Sequence, residues 1–75
     1  MDSVVGTVVS WSDDEGWGVL RSPAVESDVF AHFSAVVMDG YRLLRPGQTV
    51  RFECEYFPTG QDGYLYRANS ITVIN

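Results

Sequence analysis

Two short segments decide the fold: residues 17–21, Trp-Gly-Val-Leu-Arg, and residues 28–33, Asp-Val-Phe-Ala-His-Phe. Both are rich in the β-branched and aromatic residues that favour strands, and Ser22-Pro23 marks a turn after the first. Five strands in so short a chain, with no helix longer than one turn, predict an all-β barrel. The other three strands are predicted at residues 4–11, 49–56 and 64–74.

Strand alternation predicts which side chains of these two segments share a face. Leu20, Val29 and Ala31 suit the core of a small barrel, so their neighbours are expected to point outward. An outward patch of large rings is rare on a small protein without a binding role. The outward set is Trp17, Val19, Phe30 and His32.

Between the predicted strands, the sequence indicates turns and one irregular connection. Residues 12–16 and 57–63 are rich in turn-forming residues, and residues 38–48 form the long connection. Residues 34–37 are predicted to form a single helical turn capped by Ser34, because four residues do not make a stable helix.

Composition bounds the possible functions. The chain has 75 residues, 45% of them hydrophobic, which predicts one globular domain over residues 1–75. Its net charge of −5 repels a polyanion at long range, although all five basic residues are arginine, which pairs with phosphate and stacks on bases. The single cysteine, Cys54, excludes an internal disulfide and is expected in the core. No membrane span or signal segment is seen, so a cytoplasmic location is expected.

The two opening segments also carry a family resemblance. Residues 16–20 resemble the first ribonucleoprotein motif of bacterial cold-shock proteins, and residues 28–33 resemble the second, whose usual form is Asp-Val-Phe-Val-His-Phe. The resemblance implies a five-stranded antiparallel oligonucleotide-binding (OB-fold) barrel with Greek-key topology, which binds single-stranded RNA or DNA with low sequence specificity. Further matches are Gly6-Thr7-Val8, Ser34-Ala35-Val36, Asp39-Gly40-Tyr41, Pro46-Gly47-Gln48 and Ala68-Asn69.

This resemblance assigns binding roles to particular positions. The resemblance implies five base-stacking positions: Trp17, Phe30, His32, Phe33 and Tyr41. It also implies that Phe33 is exposed at the end of its strand. Arg42 matches a basic position and Asp28 a polar one. The candidate nucleic-acid-binding residues are therefore Trp11, Trp17, Val19, Asp28, Phe30, His32, Phe33, Tyr41, Arg42 and Tyr66.

Within this resemblance, the chain departs from the family's usual sequence at three positions. Ser10 stands where the family has an exposed tryptophan, Glu15 where it has a lysine, and Val19 where it has a phenylalanine. Because stacking rings and a basic contact are lost, weaker nucleic-acid binding than is usual in the family is expected. Trp11 follows Ser10 directly. Strand alternation counted from Val9 places the Trp11 side chain on the ligand side, and burial at the edge of the barrel is the alternative. The Tyr64–Tyr66 segment is a second source of aromatic surface.

Two function classes remain after this comparison. The first is a single-stranded nucleic-acid-binding module, acting as an RNA chaperone or a cold-shock or transcription regulator. The second is an acidic protein-interaction or self-associating module with weakened nucleic-acid binding. In either case a monomer or a strand-exchanged dimer is expected. Catalysis is not expected, because residues 13–15 form a solvated turn without a partner nucleophile. One histidine and one cysteine do not build a zinc site, and no cofactor motif is present.

Overall fold

The computed structural model describes residues 3–37, 43–61 and 64–74, and for residues 57–61 it describes the backbone alone. The candidate residues Tyr41 and Arg42 lie outside the described residues. The strands are β1 (Ser3–Ser12), β2 (Trp17–Arg21), β3 (Val29–His32), β4 (Thr49–Gln61) and β5 (Tyr64–Val73), with one 3-10 turn at Phe33–Ala35.

The five strands close into a barrel in the order β1-β2-β3-β5-β4. The pairings β1–β2, β1–β4, β2–β3 and β4–β5 are antiparallel, whereas β3 and β5 pair in parallel and close the barrel. This architecture confirms the predicted all-β five-stranded barrel of the OB-fold type. Closure leaves none of the five strands as an unpaired edge.

The core lies inside the barrel and contains the residues that alternation placed there. Leu20, Val29 and Ala31 are fully buried. Cys54 faces the same interior, where it packs against the core. Burial raises the pKa of the Cys54 thiol above its ordinary value, because a thiolate is poorly solvated there.

Two boundary predictions were wrong. Strand β4 runs on to Gln61, which pairs with Tyr64, so residues 57–61 belong to a strand and not to a loop. An irregularity in register between Tyr56 and Gln61 accommodates residues that disfavour regular pairing. The helical turn begins at Phe33, one residue early, because the Nδ1 atom of His32 caps it by accepting the Ser34 N–H at 3.3 Å.

Two irregularities in the strands set the barrel's curvature. The register of β1 against β2 shifts between Val8 and Ser10. The register of β4 against β5 shifts between Arg51 and Glu53, opposite Ser70, which has a φ of 52°. Such bulges bend a strand and rotate the side chains that follow. Because of them, simple alternation fails on β1 and β5.

Candidate functional site

The outer face of β2 and β3 carries the predicted aromatic residues side by side. Trp17 pairs with His32 and Val19 pairs with Phe30, so all four side chains lie on one face, opposite Leu20 and the core. Directly paired side chains on a sheet are close enough to contact each other. The prediction of a shared outer face is confirmed.

Three rings form an aromatic cluster on this face: Trp17, Phe30 and Tyr64. The Trp17 and Phe30 rings stack with centroids 5.5 Å apart and an interplanar angle of 25°. The Tyr64 ring centroid lies 6.2 Å from that of Trp17 and 6.0 Å from that of Phe30. This geometry is typical of favourable aromatic contacts.

The aromatic cluster covers part of its own surface. Phe30 is only 5% exposed and Val19 only 7% exposed, although both face away from the core. The expectation that these two side chains are open to solvent was wrong, because neighbouring side chains on the outer face cover them. Phe30 therefore supports Trp17 from below, and the half-buried Trp17 ring is the part of the stack that a flat ligand can reach.

A carboxylate holds the edge of the Trp17 ring. The indole Nε1–H of Trp17 donates a hydrogen bond to Oε1 of Glu15 at 3.0 Å. Glu15 is exposed. The bond fixes the orientation of the indole and at the same time places a negative charge beside it.

His32 and Phe33 form a second pair of rings next to the aromatic cluster. Their centroids are 4.6 Å apart, and Phe33 is 44% exposed. The Phe33 N–H donates to the Gly16 carbonyl oxygen at 2.8 Å, and a Cβ on Gly16 would lie 2.9 Å from Cδ1 of Phe33. The exposure expected of Phe33 is confirmed, since the residue begins the 3-10 turn and no longer follows strand alternation.

The hydrogen bonds of His32 assign its tautomer. Its Nδ1 atom accepts the Ser34 backbone N–H and lies 2.8 Å from Oγ of Ser34. A backbone N–H can only donate, so the ring proton is assigned to Nε2. His32 therefore offers one N–H donor besides its ring face.

Trp11 lies on the other side of β1 from the outer face. After the bulge Ser10 pairs with Val19 and Trp11 pairs with Gly18, and Trp11 packs against the core. A Cβ on Gly18 would lie 2.6 Å from Cε3 of Trp11, so the indole occupies the space that glycine leaves. Of the two orientations that the sequence left open for Trp11, the structure shows burial against the core and not the ligand side, because one inserted residue reverses the alternation.

Tyr66 is partly buried and lies outside the aromatic cluster. It pairs with the fully buried Val29 and packs against the core. Its ring also lies 5.3 Å from that of the exposed Tyr56, and its hydroxyl donates to Oε1 of Glu26 at 3.3 Å. Tyr64, and not Tyr66, is the β5 tyrosine in the aromatic cluster. Because Tyr64 and Tyr66 are two residues apart, strand alternation does not distinguish between them. The sequence therefore indicates an aromatic segment in the last hairpin, but not which of the two tyrosines joins the cluster.

Asp28 lies beside the site in an ion pair. Its Oδ1 atom is 3.1 Å from Nε of Arg21; the Arg21 side chain is 65% exposed and that of Asp28 is 42% exposed. The two residues border a surface groove that also includes Thr7, Val9 and Ser22. Exposed pairs of this kind contribute little to stability.

The described residues contain no helix that could cross a membrane. Within the same ranges, no group of three or more His, Cys, Asp or Glu side chains is placed to hold a metal ion.

Comparison with known proteins gives one family. Residues 4–65 match the family model described as the 'Cold-shock' DNA-binding domain. The chain is 42% identical over 59 residues to the cold shock-like protein CspA of Shewanella violacea, an alignment covering 79% of this chain and 84% of that protein. It is 40% identical over 55 residues to the cold shock-like protein CspD of Escherichia coli K12, covering 73% of this chain and 74% of that one.

Among solved structures, drosophila Unr CSD456 superposes with a TM-score of 0.73 at 23% sequence identity. The match covers 99% of this chain but only 27% of that longer one. At this identity the likeness concerns the barrel fold alone.

Proposed function

This chain belongs to the cold-shock domain family, whose members bind nucleic acid, and we propose that it binds single-stranded RNA or DNA by base stacking. The observation that carries the proposal is the half-buried Trp17 ring stacked on Phe30, with the exposed Phe33 beside it. Each base stacked on an aromatic side chain contributes about 1–3 kcal/mol, largely independent of base identity.

The site divides the work among its residues. Trp17 and Phe33 offer ring faces, and His32 offers both a ring and an N–H donor for a base edge. Phe30 lies beneath Trp17 and holds it in place. Because none of these groups requires one particular base, we infer that binding has low sequence specificity. Such binding is compatible with the proposed role of a cytoplasmic RNA chaperone, which keeps RNA unpaired.

The two tryptophans allow a sharp test. In Trp11→Phe, Trp17 is the only tryptophan, and its fluorescence is expected to fall when oligo-dT or an unstructured RNA is added, and to change far less with duplex. In Trp17→Phe, the remaining Trp11 packs against the core and is expected to change little. An unchanged Trp17 signal, at tens of micromolar single strand in low salt, would refute the proposal.

Affinity is measured separately, by the fluorescence anisotropy of a labelled single strand. Losing one stacking ring in Trp17→Ala or Phe33→Ala is expected to weaken binding by about 5- to 150-fold, the equivalent of about 1–3 kcal/mol. Val5→Ala is the matched control, because Val5 is exposed on β1, away from β2 and β3.

The alternative is a protein-interaction or self-associating module that uses the same face. The Glu15 carboxylate beside Trp17 favours it, because that charge opposes a polyanion. A concentration-dependent mass in sedimentation that Trp17→Ala abolishes, together with no quenching by single strands, is the result that supports this alternative. A monomer that binds single strands contradicts it.

A further inference from the structure

We propose that Arg67 contacts a phosphate of the strand that stacks on the aromatic cluster, which makes β5 the cationic side of the site. The inference rests on the proposed function, and it concerns a residue that the two sequence motifs do not include. A guanidinium presents several N–H donors in a plane that matches phosphate oxygens.

The barrel's register brings Arg67 to the outer face. It pairs with Phe30 across the parallel β3–β5 contact and with Glu55 across the antiparallel β4–β5 contact. The next residue, Ala68, is fully buried in the core. Successive strand residues point to opposite faces, so the Arg67 side chain lies on the same face as Phe30.

Arg67 forms no ion pair in the described part of the chain. Its cross-strand neighbour Glu55 accepts a hydrogen bond from Nδ2 of Asn69 at 2.8 Å. The one ion pair among the described residues joins Arg21 and Asp28. Arg67 therefore keeps its charge available to a ligand.

The Arg67 side chain also carries an unsatisfied donor. Its Nε atom is buried and has no hydrogen-bond partner among the described residues. A buried donor without an acceptor is unfavourable, and a charged one more so. A phosphate bound at the terminal nitrogens of the guanidinium offsets part of this cost, because it brings an anionic charge close to the group without having to reach the buried Nε.

The other described arginines lie elsewhere. Arg21 is paired with Asp28. Arg51 is exposed and pairs with Val5 and Thr72, on the side of the barrel formed by β1, β4 and β5. Arg45 is exposed and precedes the Pro46-Gly47 turn. Among these four arginines, Arg67 is the one in register with Phe30.

The first test is the salt dependence of oligo-dT binding to Arg67→Gln, with Arg51→Gln as the matched control of equal net charge. On single strands each neutralised phosphate contributes about −0.7 to the slope of log K against log salt concentration. Arg67→Gln is expected to flatten the slope by about this amount and to weaken binding about tenfold at low salt. Arg51→Gln is expected to leave the slope unchanged. Arg67→Lys keeps the charge and is expected to keep the wild-type slope.

The second test uses the wild-type chain, so it does not depend on Arg67→Gln folding. The NMR signal of the Arg67 Nε–H, assigned by its absence in Arg67→Lys, is expected to shift when oligo-dT binds. It is expected to stay in place with an oligo-dT whose phosphates are uncharged methylphosphonates. A wild-type slope for Arg67→Gln, or an Nε–H signal that oligo-dT leaves in place, overturns the inference while stacking still stands. If wild-type protein binds no single strand at all, the proposed function itself has failed.

Discussion

Glu15 is expected to set the affinity of the site, through its charge and through its bond to Trp17. The carboxylate lies 3.0 Å from the indole Nε1, so the phosphates of any base stacked on Trp17 come close to it. Two variants separate the two effects. Glu15→Gln removes the charge but keeps an oxygen that accepts the indole hydrogen, whereas Glu15→Lys reverses the charge and removes the acceptor.

The magnitude follows from Coulomb's law. A unit charge about 7 Å from a phosphate changes its energy by about 0.6 kcal/mol in water. Glu15→Gln is therefore expected to tighten binding about threefold, and Glu15→Lys, with twice the charge change, about eightfold. These values apply at about 10 mM salt, where the Debye length is about 30 Å.

The assay is the anisotropy of labelled oligo-dT at several salt concentrations. Ile74→Lys is the matched control: it changes the net charge by the same amount as Glu15→Gln, at an exposed position just after β5, and little change is expected. If charge controls affinity, Glu15→Lys binds oligo-dT most tightly, Glu15→Gln less tightly, and the wild type least tightly. Weaker binding by Glu15→Lys than by wild type refutes the reasoning and shows that the indole hydrogen bond matters more than the charge.

Three further predictions concern the fold. In Gly18→Ala the new Cβ would clash with the Ser10 carbonyl oxygen, so we expect the free energy of unfolding to fall by about 3 kcal/mol or more. In Gly47→Ala only a φ of 95° opposes the change, so a loss of about 1–2 kcal/mol is expected, and equal losses in thermal unfolding would contradict this. Ser70→Gly relieves a φ of 52° and is expected to stabilise the barrel by about 0.5–1 kcal/mol, and a lower melting temperature would contradict that. Burial raises the pKa of the Cys54 thiol, so the rate at which the folded protein is alkylated is expected to keep rising above pH 9.0. Because the folded state holds this proton more tightly than the unfolded state, the free energy of unfolding is expected to fall as the pH rises through the folded pKa. An alkylation midpoint below pH 9.0 would show that the thiol is not desolvated.

Side-chain orientation is predictable from the sequence where the strands are regular. On β2 and β3 each side chain follows simple alternation, so Leu20, Val29 and Ala31 could be assigned to the core and Trp17 and His32 to the outer face. The barrel itself followed from the number and length of the strands, because only closure pairs every edge in so short a chain.

The errors arose where one residue is inserted in a strand or where distant strands meet. The bulge at Val8 and Ser10 reverses the orientation of Trp11, and residue identity alone does not reveal such an insertion. The cover over Phe30 includes Tyr64 on β5, a strand that is distant in sequence and lies next to β3 only in the folded barrel. Exposure of a side chain depends on such long-range neighbours, whereas its direction depends mainly on local alternation.

The parallel contact between β3 and β5 joins parts of the chain that are far apart in sequence, and it runs beneath the site. Phe30 lies on one side of this contact and Arg67 on the other. A ligand that stacks on Trp17, which rests on Phe30, and contacts Arg67 holds the two strands together, so its binding free energy is added to that of folding. At a ligand concentration 100 times Kd this linkage is worth about 2.7 kcal/mol. For a barrel of this size, that is a large part of the total free energy of unfolding. Bound nucleic acid is therefore expected to lower the frequency of the unfolding events that expose the chain to proteases.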